Sequence, residues 1–211
     1  EKHVKNMRTC CSQAHLTAQE LFNIAESHGG IYIPAHVFTP YKSFYGNCCD
    51  SLLDIFDEES FKKIPAVELG LSADTAMASQ LSELDSKSFT SNSDAHSLVK
   101  MGREYNVFLM EDLNFEEWLM ALKGQEGRRI IANYGLNPKL GKYHRSYCFN
   151  CESRIDGEPP KIECPVNENH RVLTGVLDRL HIIRDRENLQ LKNRPPYHYQ
   201  VPLEFLPGVG K

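Results

Sequence analysis

The stretch Thr17-Ala-Gln-Glu-Leu-Phe-Asn-Ile-Ala-Glu-Ser-His-Gly-Gly-Ile-Tyr-Ile-Pro-Ala-His36 holds the pattern from which the rest of the chain is read. Thr17 and Glu20 stand at capping-box spacing, where each side chain reaches the other's backbone N–H. Leu21, Ile24 and Ala25 follow at helical spacing, and Gly29-Gly30 ends the run because glycine accepts the turn that closes a helix. Ile31 to Pro34 then reads as a buried strand. A helix, a stop and a strand deliver one histidine, His36, at the strand's C-terminal end.

The same texture repeats downstream. Ala66 to Leu69 reads as a strand followed by a helix through Ala73–Leu84. Further strands are expected over Phe89–Asn92 and Tyr105–Met110. Asn114-Phe-Glu-Glu117 caps a helix reaching Leu122, and Arg129–Ala132 makes a last strand. Strands and helices in strict turn predict an α/β fold with a parallel sheet or barrel, its active residues at strand C-terminal ends. After Asn133 the chain becomes turn-rich and carries a cysteine segment. A helix is expected over Val176–Leu191, and Arg194-Pro-Pro196 breaks regular structure. The expected division is a barrel part over residues 1–133, a metal-binding part over 134–192, and the start of a helical region over 193–211.

Composition bounds the function classes. Of 211 residues, 41% are hydrophobic and 25% charged, as in ordinary globular proteins. No apolar run approaches the ~18 residues that a membrane helix needs, and no signal-peptide pattern opens the chain. The chain begins on Glu1, and we expect it to be a piece of a longer protein. Residues 1–127 carry 10 Lys+Arg against 19 Asp+Glu, whereas residues 128–211 carry 14 against 9. An acidic first part suits cation binding and a basic second part suits a polyanion. Seven cysteines, including the adjacent pairs Cys10-Cys11 and Cys48-Cys49, fit a reducing cytoplasm better than a disulfide framework. The adjacent pairs are expected to be small buried hydrophobes.

Two sets of residues suggest metal chemistry. In extended backbone, Asp94 and His96 point to the same side and can share an ion. A carboxylate with an imidazole suits Zn²⁺, Mn²⁺ or Fe²⁺. His36 arrives at another strand end, and Glu68, in Val-Glu-Leu-Gly, at a third. Taken singly each has a plain structural reading: Asp-x-His is common in turns, a buried His is usually hydrogen-bonded, and Glu68 suits a salt bridge equally well. Their joint placement favours a catalytic cluster that activates water at a phosphate ester. The second set is Cys148-x-x-Cys151 with Cys164 and His170. A Cys-x-x-Cys turn aims two thiolates at one tetrahedral ion, and a full set of four protein ligands makes a structural Zn²⁺ site. His144 is the alternative fourth ligand. Near the knuckle lie Arg128, Arg129, Lys139, Lys142, Arg145, Arg154 and Arg171, interleaved with Tyr134, Tyr143 and Tyr147. Such mixtures suit phosphate contacts and base stacking. Lys42 and Tyr45 follow the His36 strand end, and Arg103 stands near Asp94 in sequence. The expected DNA contacts are Lys42, Tyr45, Arg103, Lys139, Lys142 and Arg145.

Ile33-Pro-Ala-His36 and Ser93-Asp-Ala-His96 resemble motifs of the polymerase and histidinol phosphatase (PHP) superfamily of phosphoesterases. Several segments resemble, more narrowly, the endonuclease Q family of PHP-type DNA repair nucleases. They are residues 33–40, Val67-Glu-Leu-Gly-Leu-Ser72, Ser91-Asn-Ser-Asp-Ala-His-Ser97, Gly102-Arg-Glu-Tyr105, Ile131-Ala-Asn-Tyr-Gly-Leu136, Gly141-Lys-Tyr-His144, Gly175-Val-Leu-Asp-Arg179 and residues 201–205. The resemblance implies a distorted (β/α) barrel with a multinuclear site of Zn²⁺, Mn²⁺ or Mg²⁺, then a zinc-binding domain and a helical part. It implies His36, Asp94 and His96 as ligands and catalytic residues, with Glu68 beside them. It also implies damaged DNA as the partner, nicked 5′ to uracil, hypoxanthine, xanthine or an abasic site. The His-x-His pair that opens the superfamily's site does not occur in this chain, so the ligand set here is partial. Two other readings fit the residues: a phosphatase for a small phosphate ester, and a zinc-ribbon nucleic-acid-binding module with an inactive barrel.

Overall fold

A computed structural model of the chain describes residues 16–41, 43–187, 191 and 193–201. Lys42, the Cys10-Cys11 pair and residues 202–211 of the tail lie outside them. Helix α1 (Ala18–Ser27) forms as the sequence predicts. Thr17 accepts from the Glu20 N–H, and Glu20 reciprocates on the Thr17 backbone. The segment expected as a strand, residues 31–34, is not a regular strand. Its ties to the neighbouring strand are the Glu68 N–H on the Pro34 carbonyl (2.9 Å) and, just beyond it, the Val37 N–H on the Glu68 carbonyl (2.9 Å). Pro34 has no N–H to continue a ladder.

After α2 (Glu58–Lys63), strand β1 (Ala66–Glu68) pairs parallel with β2 (Ser88–Thr90), Glu68 opposite Thr90. The helix expected between them over Ala73–Leu84 is broken into α3 (Thr75–Ala78) and a 3-10 turn (Ser82–Ser86). Strand β3 (Tyr105–Leu109), helix α4 (Phe115–Lys123) and β4 (Arg129–Gly135) follow. Here the expected parallel arrangement does not extend to the next pair. β3 and β4 are antiparallel, with an irregularity at Val107/Phe108, because α4 returns the chain beside β3 instead of crossing over. Asn133 joins this sheet to the first, its side-chain amide donating to the Phe89 carbonyl at 2.9 Å.

A small antiparallel sheet comes next, ordered β6–β5–β7 from β5 (Tyr147–Cys148), β6 (Ser153–Arg154) and β7 (Val172–Leu173). Helix α5 spans Val176–Ile183, shorter than the predicted run to Leu191. Where a helical region was expected from residue 193, the described part instead supplies β8 (Tyr197–Tyr199), parallel to β4. Among the described residues the strands therefore form sheets of two, three and three strands.

The main core joins Phe22, Val37, Phe38, Tyr45, Leu52, Ile64, Val67, Leu69, Leu84 and Phe89. Val176 and Leu180 of α5 belong to the same cluster, so hydrophobic packing crosses residue 134, the expected boundary. Arg179 of α5 strengthens the junction by donating to the Tyr45 carbonyl at 2.8 Å and the Cys49 carbonyl at 3.1 Å. The part with a core of its own, Cys148, Ile155 and Cys164, is the small sheet, a shorter unit than residues 134–192.

Candidate functional site

The knuckle assembles. Cys148 lies on β5, Cys151 in the turn to β6, Cys164 in the following loop and His170 just before β7. Their four ligand atoms lie within 4.8 Å of one another. His170 Nδ1 is 3.3 Å from the Cys151 and Cys164 sulfurs and 3.6 Å from that of Cys148; the Cys151 and Cys164 sulfurs are 3.6 Å apart. A tetrahedral ion with Zn–S near 2.3 Å and Zn–N near 2.0 Å would separate its ligand atoms by roughly 3.5–3.8 Å. The group can hold a metal ion such as zinc. The Cys151 N–H, 3.4 Å from the Cys148 sulfur, helps fix the turn. Burial pushes the Cys164 thiol up, but the N–H groups of Asn167 and Val166 and bonds from Cys148 and His170 outweigh it and bring it to about 6. Cys151, whose thiol meets Cys164, is pushed up to about 11. His144, the alternative ligand, is buried elsewhere with its Nδ1 unpartnered.

The strand-end residues are arranged in two pairs. Glu68 closes β1 and is buried, and one carboxylate oxygen accepts the His36 N–H while the other accepts the Gly70 N–H at 2.8 Å. Burial raises its pKa. The Asn92 N–H donates to the same carboxylate. The His36 ring nitrogen Nδ1 is buried with no hydrogen-bond partner. An orphaned imidazole nitrogen beside a buried carboxylate fits a missing cation. Gly70, at φ +75°, allows this approach, since a Cβ there would lie 3.0 Å from the His36 Cβ. The other pair sits on the loop after β2, with His96 Nδ1 at 2.8 Å from the Asp94 carbonyl and 3.9 Å from its carboxylate. Both side chains are exposed, His96 at 83%. Among the described residues, the Cys148–His170 group is the one set of three or more such ligands already gathered. His36 and Asp94 share one further trait: both adopt positive φ, 35° and 44°, a strained backbone for residues with a Cβ.

Three residues at the start of β3 hold the Asp94 loop, and two of them were not foreseen. Asn106 accepts the Ser91 N–H at 2.8 Å and donates to the Ser91 carbonyl at 3.1 Å and to Asn92 at 3.0 Å. Glu104 accepts the Ser91 hydroxyl and the Leu136 N–H, each at 2.7 Å. Burial pushes the Glu104 carboxyl up to about 7. The signal was a polar Glu-x-Asn set opening an otherwise apolar strand. Arg103, expected to touch DNA, donates its Nε to the Ser93 carbonyl at 2.7 Å, so it braces the loop as well.

Two of the expected DNA contacts are corrected. Tyr45 is fully buried, stacked on Phe38 at 5.2 Å between centroids, with its hydroxyl donating to Glu83 at 2.8 Å. Its loop is folded inward by an apolar run that wins burial over display. Tyr45→Phe is therefore expected to cost about 1–2 kcal/mol of stability and to leave DNA affinity unchanged. Chemical denaturation and a binding titration check both halves. Arg145 is tied to Asp178, which is wholly buried, at 3.1 Å. Arg128 is likewise spent on Glu111 and Glu117, at 2.7 and 2.9 Å. Lys139, Lys142, Arg154 and Arg171 remain exposed. Lys142 stands over Tyr143, and Arg171 stands over Phe149 at 4.8 Å. Cys49 is buried with its thiol pushed up by burial, as expected of a small hydrophobe.

No protein-family model matches the chain. It is 45% identical over 209 residues to the uncharacterized protein YqxK of Bacillus subtilis, covering 98% of this chain and 52% of that protein. It is 42% identical over 176 residues to the uncharacterized protein MJ0043 of Methanocaldococcus jannaschii, covering 79% of this chain and 21% of the other. Among solved structures it matches the lesion-specific endonuclease PfuEndoQ from Pyrococcus furiosus, with TM-score 0.77, 38% identity, and coverage of 89% of this chain and 47% of that one. The chain belongs to the endonuclease Q family. A second endonuclease Q structure, in complex with a 27-mer duplex substrate with an abasic lesion at the active site, matches at TM-score 0.76 and 37% identity. The chain spans about half the length of YqxK and of both endonuclease Q structures. Among the described residues no helix is long and apolar enough to cross a membrane.

Proposed function

We propose that the protein to which this chain belongs is a metal-dependent, lesion-directed DNA repair endonuclease. It acts in the cytoplasm and nicks DNA 5′ to deaminated bases or abasic sites. The observation that carries the reading is the match, over 89% of the chain, to an endonuclease Q whose described function is lesion-specific cleavage. Support from the site is the unpartnered His36 nitrogen beside buried Glu68, at the same end of the parallel pair as the Asp94–His96 loop. In the intact protein, β1 and β2 would belong to a distorted barrel whose further strands come from outside this chain. His36, Glu68, Asp94 and His96 would hold part of a divalent cluster, which when bound lowers the pKa of water and screens a phosphate's charge. The chain's own residues set the geometry: Glu68 fixes the His36 turn, and Asn106, Glu104 and Arg103 fix the loop bearing Asp94 and His96. Lys139, Lys142, Arg154 and Arg171 would meet the phosphate backbone, so affinity should fall as salt rises.

The test is nicking by the full-length protein of duplexes containing uracil, hypoxanthine or an abasic site against an undamaged control. Asp94→Ala is expected to lower the rate by about 100-fold, with zinc content and folding unchanged. Equal cutting by Asp94→Ala would remove that residue from catalysis. Equal cutting of damaged and undamaged duplexes would remove lesion specificity. A second reading, a nucleic-acid-binding module, is favoured for the isolated chain by one observation: the knuckle is the sole assembled ligand set among its described residues. Duplex binding without cutting by the isolated chain, beside cutting by the full-length protein, is the outcome that assigns each role.

A further inference from the structure

A cavity of about 690 Å³ lies at the ends of β1 and β2 opposite to Glu68 and the Asp94 loop, lined among others by Pro65, Lys87, Ser88, Lys123 and Arg194. Two of its cations are anomalous. Lys87 is 2% exposed. Its Nζ donates to the Phe61 carbonyl and stands 3.9 Å from the centroid of the Phe61 ring. Beside it, Arg194 donates to the carbonyls of Lys87 and Leu84, the latter at 2.7 Å, with its guanidinium 3.8 Å from the centroid of Phe89.

Among the described residues neither cation has a carboxylate within ion-pair distance. The carboxylates in the lining are engaged elsewhere, Glu26 by Lys63 and Asp85 by Arg186. Charge withdrawn from water is ordinarily paired, and here two positive groups in the lining of one cavity have no ion-pair partner among the described residues. An ammonium has more donors than its single bond to Phe61 uses, and a guanidinium more than its two carbonyl bonds use. Burial pushes Lys87 down to about 8 and lowers Arg194 as well. In both, burial outweighs the more distant pull of a carboxylate, Glu83 for Lys87 and Asp85 for Arg194.

We propose that this cavity is an anion site that takes a phosphate group, with Lys87 and Arg194 as its inner donors and the exposed Lys123 as an outer one. Two cations in the lining of one cavity complement a doubly charged oxyanion, and spare N–H donors suit its several acceptor oxygens. The volume exceeds that of a lone phosphate and falls within the roughly 300–1,000 Å³ of small-molecule sites, so the phosphate can belong to a nucleotide or to a DNA strand. The inference stands apart from the nuclease reading, because the cavity is at the opposite ends of the strands from Asp94.

The experiment follows the melting temperature of the full-length protein against rising inorganic phosphate, with sulfate-free chloride buffer at matched ionic strength. In the wild type it is expected to climb with the logarithm of phosphate concentration, as a ligand selective for the folded state requires. Lys87→Met, which keeps the length of the side chain and removes the charge, is expected to abolish the climb. Lys123→Ala, at an exposed position, is expected to weaken phosphate binding about threefold. No climb in the wild type, or a climb undiminished in Lys87→Met, overturns the proposal. If Lys87→Met fails to fold, unchanged phosphate affinity in Lys123→Ala overturns the outer contact and an affinity loss supports the site. Competition assigns the source. Displacement of phosphate by an undamaged duplex, lost in Lys87→Met, supports a strand phosphate. Displacement by a mononucleotide but not by duplex supports a free nucleotide. Loss of nicking in Asp94→Ala with the phosphate response intact separates this site from the catalytic one.

Discussion

Substituting Cys151 by serine, or stripping the metal with a chelator, is expected to unfold the small sheet while the main core persists. Metal analysis should give one tightly held zinc per wild-type chain and none in Cys151→Ser. Strands β5, β6 and β7 are two residues each, and their own core is Cys148, Ile155 and Cys164 with partly buried Cys151 and Val172. That is far too little apolar surface to fold unaided. A structural Zn²⁺ in such a module contributes about 10–16 kcal/mol of apparent binding energy at neutral pH, more than any other single feature of the chain. Three of the four ligands are also core residues or pack against the core, so losing the ion removes the sheet's interior along with its staple. Hydrogen exchange over residues 147–173 reads the result directly. Protection unchanged after metal removal would show that the sheet stands without an ion. DNA affinity should fall with the metal, because Arg154 and Arg171 are presented by this sheet.

The second large effect is expected at Arg145. Asp178 has no exposure and accepts five bonds: from Arg145 Nε and Nη2 at 3.1 and 3.2 Å, from the Ser146 N–H and hydroxyl at 2.9 and 3.0 Å, and from the Lys161 N–H at 2.8 Å. Arg145→Ala leaves the buried carboxylate without its counter-charge, which typically costs about 3–5 kcal/mol. The loss is expected in denaturant unfolding with no DNA present. An Arg145→Ala protein as stable as wild type, but weaker on DNA, would return this residue to the nucleic-acid surface. The pH dependence has a definite sign. Burial alone raises the Asp178 carboxyl, but Arg145, Ser146 and Lys161 outweigh it and hold the folded-state pKa below the ordinary value. The stabilisation is therefore complete above the ordinary carboxylate range and is lost as pH falls through the lowered folded pKa. Arg145→Ala should flatten that acid limb.

The sequence made the local elements legible where a physical signal was short-range. The Thr17/Glu20 box, the Asn114 cap and the Cys-x-x-Cys turn each specify their own geometry, and each appears as expected. His170 as the fourth ligand was likewise readable, since it is close enough in sequence to be presented by the same small sheet. Strand direction was not. An apolar run looks the same in either orientation, and the antiparallel return of β4 on β3 is decided by packing around α4. Burial of Tyr45 and Arg145 also escaped, because a tyrosine or arginine in a polar segment carries no mark of whether an Asp178 or Glu83 awaits it far along the chain. For the strand-end set, the sequence carries no mark of whether the side chains converge. Glu68 meets His36 through the backbone, whereas Asp94 and His96 stand exposed on their loop.

Helix α5 ties the two halves of the chain mechanically. With Val176 and Leu180 plugged into the interior formed by Phe22, Leu52 and Phe89, excising everything beyond β4 would uncover a greasy socket, and the remnant would be prone to clump. The knuckle has no free swivel either. A tug on the sheet carrying Arg154 and Arg171 is passed through α5 to the core beneath the β1–β2 pair.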